Sequence, residues 1–127
     1  MALKDKKYKS RNLIQSFKYA INGLVTGFKK ERNIKVDFFV ACVVIIFGFV
    51  FSVSMTEWAV LVLCFTLVLS LEYVNTAIES VVDLASPEIN PLAKVSKDVA
   101  AGAVLFSAIN AVVIGIIIFL PKFIDLF

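Results

Sequence analysis

The chain has 127 residues, of which 60% are hydrophobic and 18% charged, with a mean hydropathy of +0.90 and a net charge of +3. Soluble domains average roughly half apolar and about a quarter charged residues, so this composition excludes a water-soluble globule and describes an integral membrane protein. One small membrane-embedded domain, 1–127, leaves no room for a separate soluble catalytic module. Histidine is absent, which removes serine–histidine triads and histidine-based zinc sites and leaves carboxylates, lysines and hydroxyls for reactive work.

Residues 1–33 form a basic segment expected to lie at the membrane surface. Leu13, Ile14, Phe17, Ile21, Leu24, Val25 and Phe28 recur at helical spacing, while Arg11, Gln15, Lys18, Asn22 and Lys29 take the opposite face. That pattern predicts an amphipathic interfacial helix whose cations meet anionic lipid, with membrane lipids rather than nucleic acid as its partner.

Three transmembrane helices follow. The first is predicted over 34–56, around the uncharged run Phe38 to Thr56, whose nineteen residues at about 1.5 Å each match a hydrocarbon core of about 30 Å. The second, 58–83, opens at the interfacial residue Trp58 and carries acids at Glu72 and Glu79. The third, 99–120, is uncharged and is expected to close at Pro121. Long runs without short alternating segments favour helices over barrel strands.

Ten of the thirteen lysines and arginines precede the uncharged run of the first span, two (Lys94 and Lys97) lie between the second and third, and only Lys122 follows the third. The positive-inside rule then predicts a cytosolic N-terminus, a cytosolic loop at 84–98 and an outer C-terminus, in a multi-pass protein of the cell membrane. The first apolar run starts too late and is too long for a cleaved signal. Cys42 and Cys64 sit in apolar runs without metal or redox spacing and read as buried small hydrophobes. Ala103, Ser107, Ala111 and Gly115 place a small residue at every fourth position of the third span, which permits close helix packing.

The second span carries the informative pattern. Glu72, Asn75, Thr76, Glu79 and Asp83 fall at offsets 0, 3, 4, 7 and 11 and so share one face. An acid near a bilayer centre costs roughly 2.5–3.5 kcal/mol on insertion scales and normally marks function. One polar residue suffices as helix–helix glue, whereas five on a stripe ask for more. Counted from Trp58 at 1.5 Å per residue, Glu72 lies about 21 Å along the helix, Glu79 about 31 Å and Asp83 about 37 Å. Glu72 is thereby expected inside the membrane and the other two acids at its cytosolic boundary. Beyond them come the proline-broken segment Ala85 to Pro91 and the charged residues Lys94, Lys97 and Asp98, with Lys30 and Glu31 at the same level. Carboxylates hold magnesium and lysines neutralise phosphate, a combination suited to presenting a metal-bound polyphosphate to a lipid headgroup.

The block Glu72-Tyr-Val-Asn75-Thr-Ala-Ile-Glu79-Ser-Val-Val-Asp83, followed by Lys97-Asp98 and Val-Ala-Ala-Gly-Ala-Val, closely resembles the prokaryotic diacylglycerol kinase family of small membrane lipid kinases. The likeness runs from Ser16-Phe-Lys-Tyr-Ala20 into the third span. The stretch Asn90-Pro-Leu-Ala-Lys94-Val-Ser-Lys-Asp looks most like the Gram-positive branch, whose members phosphorylate undecaprenol. The resemblance implies a homotrimer that uses ATP and Mg2+ to phosphorylate a lipid alcohol. It places the catalytic base on Glu72, the metal carboxylates on Glu31 and Glu79, and nucleotide contacts on Tyr19, Glu31, Asn75, Glu79, Lys97 and Asp98 with the loop Glu88, Ile89 and Asn90. Position 90 is asparagine where many relatives carry histidine, so no ionisable role is expected of it.

Two other activities fit the same residues. A diacylglycerol kinase differs only in acceptor. A small oligomeric proton or ion conductor also displays intramembrane acids, but conduction gives no reason for Glu31, Lys94 and Lys97 to converge on one side.

Overall fold

The computed structural model describes residues 12–127 as four helices: α1 (Leu13–Lys30), α2 (Arg32–Val50), α3 (Met55–Ala85) and α4 (Pro91–Ile124). Among these residues there is no strand, and α2, α3 and α4 are each long and apolar enough to cross a membrane. The expected arrangement of three spans behind an amphipathic helix is the one observed. The early part of the basic segment, with Lys4, Lys6, Lys7, Lys9 and Arg11, lies outside the described residues.

Each boundary has a local cause. Asn12 and Gln15 form a capping box that starts α1, the Asn12 side chain accepting the Gln15 N–H at 2.9 Å and the Gln15 side chain accepting the Asn12 N–H at 3.2 Å. Lys29 and Lys30 sit in the last turn, where cations favour the helix dipole. The helix stops there rather than at 33 because Glu31 is extended (φ −107°, ψ 119°), and this single residue turns α1 into α2.

The first span ends at Val50 and not at 56. Ser54 and Glu57 make a second capping box, which starts α3 at Met55 and pulls the connection back to 51–54, where Ser52 takes a positive φ of 53°. The third helix starts at Pro91, eight residues ahead of 99. Asn90 caps it by accepting the Leu92 N–H at 2.8 Å, and proline fits the first helical position because no donor is needed there. Nor does α4 close at Pro121. The ring's fixed φ is helical, only one donor is lost, and the helix continues to Ile124.

At about 1.5 Å per residue, the 31 residues of α3 and 34 of α4 extend about 46 and 51 Å, well beyond a core of about 30 Å. Long ends must therefore project past the apolar layer. The α3/α4 pair packs most extensively, with α2 and then α1 laid against it. Near the 51–54 turn, Val53, Leu61 and Ile118 form a buried cluster backed by Trp58 and Phe119. There the Trp58 ring lies directly on Gly48, leaving no space for a β-carbon, and Lys122 pairs with Glu57 at 3.0 Å.

Of the small residues on α4, Ser107 is buried and Ala111 and Gly115 line an inner cavity, whereas Ala103 is exposed. Cys64 is buried, as expected, and accepts from the Asn110 amide at 3.8 Å. Cys42 is exposed, contrary to expectation, because the buried positions of α2, Ile34, Ala41 and Gly48, follow a seven-residue spacing that it does not share. The apolar face of α1 is open too, with Leu13, Ile14, Phe17 and Ile21 all more than half exposed.

Candidate active site

The position of α1 is set by α3. The Tyr73 hydroxyl donates to the Leu24 carbonyl at 2.7 Å, and the Tyr73 ring lies against Gly27, where a β-carbon would overlap it. Phe28 meets Phe38 edge-on at 5.4 Å and Phe38 meets Phe65 at 6.0 Å, so α1, α2 and α3 share one aromatic seam. This seam carries the Glu31 corner to the level of Glu72, the residue beside Tyr73.

Glu72 is 7% exposed and Asn75 is likewise buried; Thr76 and Glu79 are half-buried and Asp83 is exposed. The stripe thus runs from a dry end to a wet one. The Asn75 amide donates to Glu79 Oε1 at 3.1 Å, one turn along the helix. Asn75 Oδ1 is buried without a hydrogen-bond partner, which leaves one acceptor facing the site. The acids whose charges act on Glu72 are Asp37, Glu31 and Glu79, from α2, the α1/α2 corner and α3. Like charges collected in a half-dry site repel one another and favour a cation among them.

Among the described residues no three metal-ligating side chains converge into a closed site. Magnesium requires none, since it commonly takes one or two protein carboxylates together with substrate phosphates and water. Glu31 and Glu79, on separate elements, fit that donor set.

At the outer end of the stripe, Lys97 on α4 forms an ion pair with Asp83 on α3, and Lys94 pairs with Asp98 one turn away. Both Lys97 and Asp98 therefore carry partners, Asp83 and Lys94, that are not among the nucleotide contacts the resemblance implies. Tyr19 is half exposed on α1. Glu88 and Ile89 are exposed in the α3/α4 connection, where the Ser86 hydroxyl donates to the Glu88 carbonyl. Asn90 spends its side-chain oxygen on the α4 cap. The structure thus gathers Glu31, Glu72, Asn75, Glu79 and Lys97, and leaves Tyr19 and the 88–90 segment on the surface around them.

Asp37 was legible in sequence only as the edge of a span. It lines the apolar cavity of about 290 Å³ between α2, α3 and α4 as its one charged residue, and its Oδ2 is buried without a partner.

Residues 18–119, which include every side chain gathered here, match the family model for prokaryotic diacylglycerol kinase. The chain belongs to that family. Among its relatives is the undecaprenol kinase of Bacillus subtilis (strain 168), 41% identical over 122 residues, covering 96% of this chain and 99% of the relative. The diacylglycerol kinase of Synechocystis sp. is 42% identical over 116 residues, covering 91% of this chain and 66% of the relative. That of Haemophilus influenzae is 33% identical over 96 residues, covering 76% and 81%.

Proposed function

We propose that this family member is an ATP-dependent kinase of a membrane lipid alcohol, with undecaprenol as its preferred acceptor and undecaprenyl phosphate as its product. The observation that carries this reading is the placement of Glu72. It is a buried carboxylate at the level of the amphipathic helix, one turn from the Asn75–Glu79 pair and on the same stripe as the Asp83–Lys97 pair. An amphipathic helix lies in the headgroup boundary, which is where the hydroxyl of a lipid alcohol also resides. Docking of α1 at Tyr73 supports a reading in which Glu72 lies at the depth of that hydroxyl and the outer part of the stripe, about 10–16 Å further along α3, meets water and the nucleotide.

In the reaction, Glu72 accepts the hydroxyl proton as the lipid oxygen bonds to the γ-phosphorus, and the bond from that phosphorus to the β–γ bridging oxygen breaks to release ADP. Transfer of this kind depends chiefly on positioning and charge neutralisation rather than on covalent chemistry by the protein. Lys97 supplies one positive charge to the phosphates. Asn75 orients Glu79 through its amide and offers its free Oδ1 to the site. Glu31 and Glu79 would hold magnesium, which would supply the remaining neutralisation of the phosphates.

The unequal distribution of lysine and arginine supports a cytosolic N-terminus and a site opening to the cytosol in the cell membrane. A homotrimer is part of the proposal. One chain of three spans cannot surround its acids: Glu79 stays half-buried, with Val74 and Val81 exposed on the same helix, so a neighbouring subunit completes the shield. Support for undecaprenol comes from the end-to-end likeness to the Bacillus enzyme. Diacylglycerol stands as the second acceptor because relatives of similar identity carry that name. Detergent-purified protein should release ADP only when both magnesium and a lipid alcohol are added; ion flux without ADP release would replace the kinase with the conductor.

A further inference from the structure

Asp83, like Thr76, is a residue of the stripe to which neither the chemistry above nor the resemblance assigns a role. Its carboxylate Oδ1 accepts from the Lys97 Nζ across the α3/α4 interface. Both side chains are open to water, Lys97 at 40% and Asp83 at 66% exposure. Ion pairs this exposed contribute little to stability. What the pair changes is where the lysine points. A lysine side chain is a flexible four-carbon stem with large rotamer freedom, and here its ammonium is tied to a rigid helix one turn beyond Glu79.

We propose that Asp83 is a positioning residue for nucleotide binding: it holds the Lys97 ammonium on α3, one turn beyond Glu79, before ATP arrives, so that the phosphates meet a cation already in place. The inference rests on the kinase reading and specifies how one of its cations is aimed. Asp83 touches neither the reacting atoms nor the lipid. Its effect must pass through Lys97, and that separates it from a simple α3/α4 staple. Removing the carboxylate also removes a negative charge near the phosphates, but that charge is exposed and screened, whereas the lost ordering of Lys97 is local and unscreened.

The test is a double-mutant cycle on the full chain in detergent, reading the MgATP KM, kcat, the lipid-alcohol KM and the affinity for a non-hydrolysable ATP analogue. Asp83→Asn should raise the MgATP KM and weaken analogue binding by roughly two- to twelvefold, the loss expected from one long side chain no longer pre-ordered. Its kcat and lipid KM should stay within about twofold of the unaltered enzyme, since a group outside the reacting atoms adds nothing specific to the transition state. Asp83→Glu, which keeps the carboxylate one methylene further out, should restore binding. In a Lys97→Met background, Asp83→Asn should weaken analogue binding no further. The proposal is overturned if Asp83→Asn leaves the MgATP KM unchanged or lowers it, or if it weakens binding equally with Lys97 absent. An unaltered enzyme showing no lipid-dependent ATP turnover contradicts the kinase reading instead, so the two failures are distinguishable.

Discussion

Tyr73 and Leu24 are 49 residues apart and joined by one hydrogen bond of 2.7 Å, and that bond fixes the depth at which α1 crosses α3. Because Gly27 lies under the same ring, the docking depends on a missing side chain as well as on a hydroxyl.

Gly27→Ala should therefore push α1 away from Tyr73 and carry the Glu31 corner with it. Displacements of about 1 Å at a remote position can cost on the order of a hundredfold in rate, so turnover should fall by about ten- to a hundredfold with the spans still folded. Tyr73→Phe keeps the ring and removes the hydrogen bond, a loss of about 0.5–1.5 kcal/mol. Faster hydrogen exchange of α1 amides in both variants, with α3 unaffected, is the expected signature.

Glu72→Gln retains shape and hydrogen-bonding capacity but not the base. General acid–base catalysis contributes typically about a hundred- to ten-thousandfold, and kcat should drop within that range while a non-hydrolysable ATP analogue still binds. Near-normal kcat in a folded Glu72→Gln protein would remove Glu72 from the mechanism.

Glu31→Gln and Glu79→Gln remove the two carboxylates proposed to hold magnesium, one at the α1/α2 corner and one on α3. Each should raise the magnesium concentration needed for half-maximal activity together with the MgATP KM, and raise both more than it alters the lipid KM. Magnesium titrations superimposable on those of the unaltered enzyme would reject their pairing at a metal.

Much of this arrangement was readable from spacing alone. Three charge-poor runs gave the spans, and offsets of 3, 4, 7 and 11 from Glu72 put the acids on one face because a helix repeats every 3.6 residues. The ends of the helices were harder, since hydropathy marks where lipid stops and not where hydrogen bonding does. The Ser54–Glu57 capping box and the Asn90-Pro91 start are local signals that were present in the sequence and override the hydropathy boundary by up to eight residues. Asp37 and the Asp83–Lys97 pair required tertiary structure. A pairing between residues 14 apart across a helical hairpin leaves no periodic trace, and an acid at the edge of a span looks the same whether it faces water or a cavity.

The central claim is transfer of a phosphoryl group from ATP to a lipid hydroxyl beside Glu72, and following the γ-phosphate itself tests it most directly. Purified enzyme is given γ-labelled ATP and magnesium with undecaprenol or diacylglycerol, in one detergent and at one lipid mole fraction. Undecaprenol offers one hydroxyl on an apolar chain, whereas a site tuned to diacylglycerol has ester carbonyls to hold and loses heavily without them. The account predicts label extracted with the lipid as undecaprenyl phosphate, a higher kcat/KM for undecaprenol than for diacylglycerol, and loss of that label in Glu72→Gln. Label confined to the aqueous phase would contradict the kinase, and a tenfold or greater advantage for diacylglycerol would contradict the choice of acceptor.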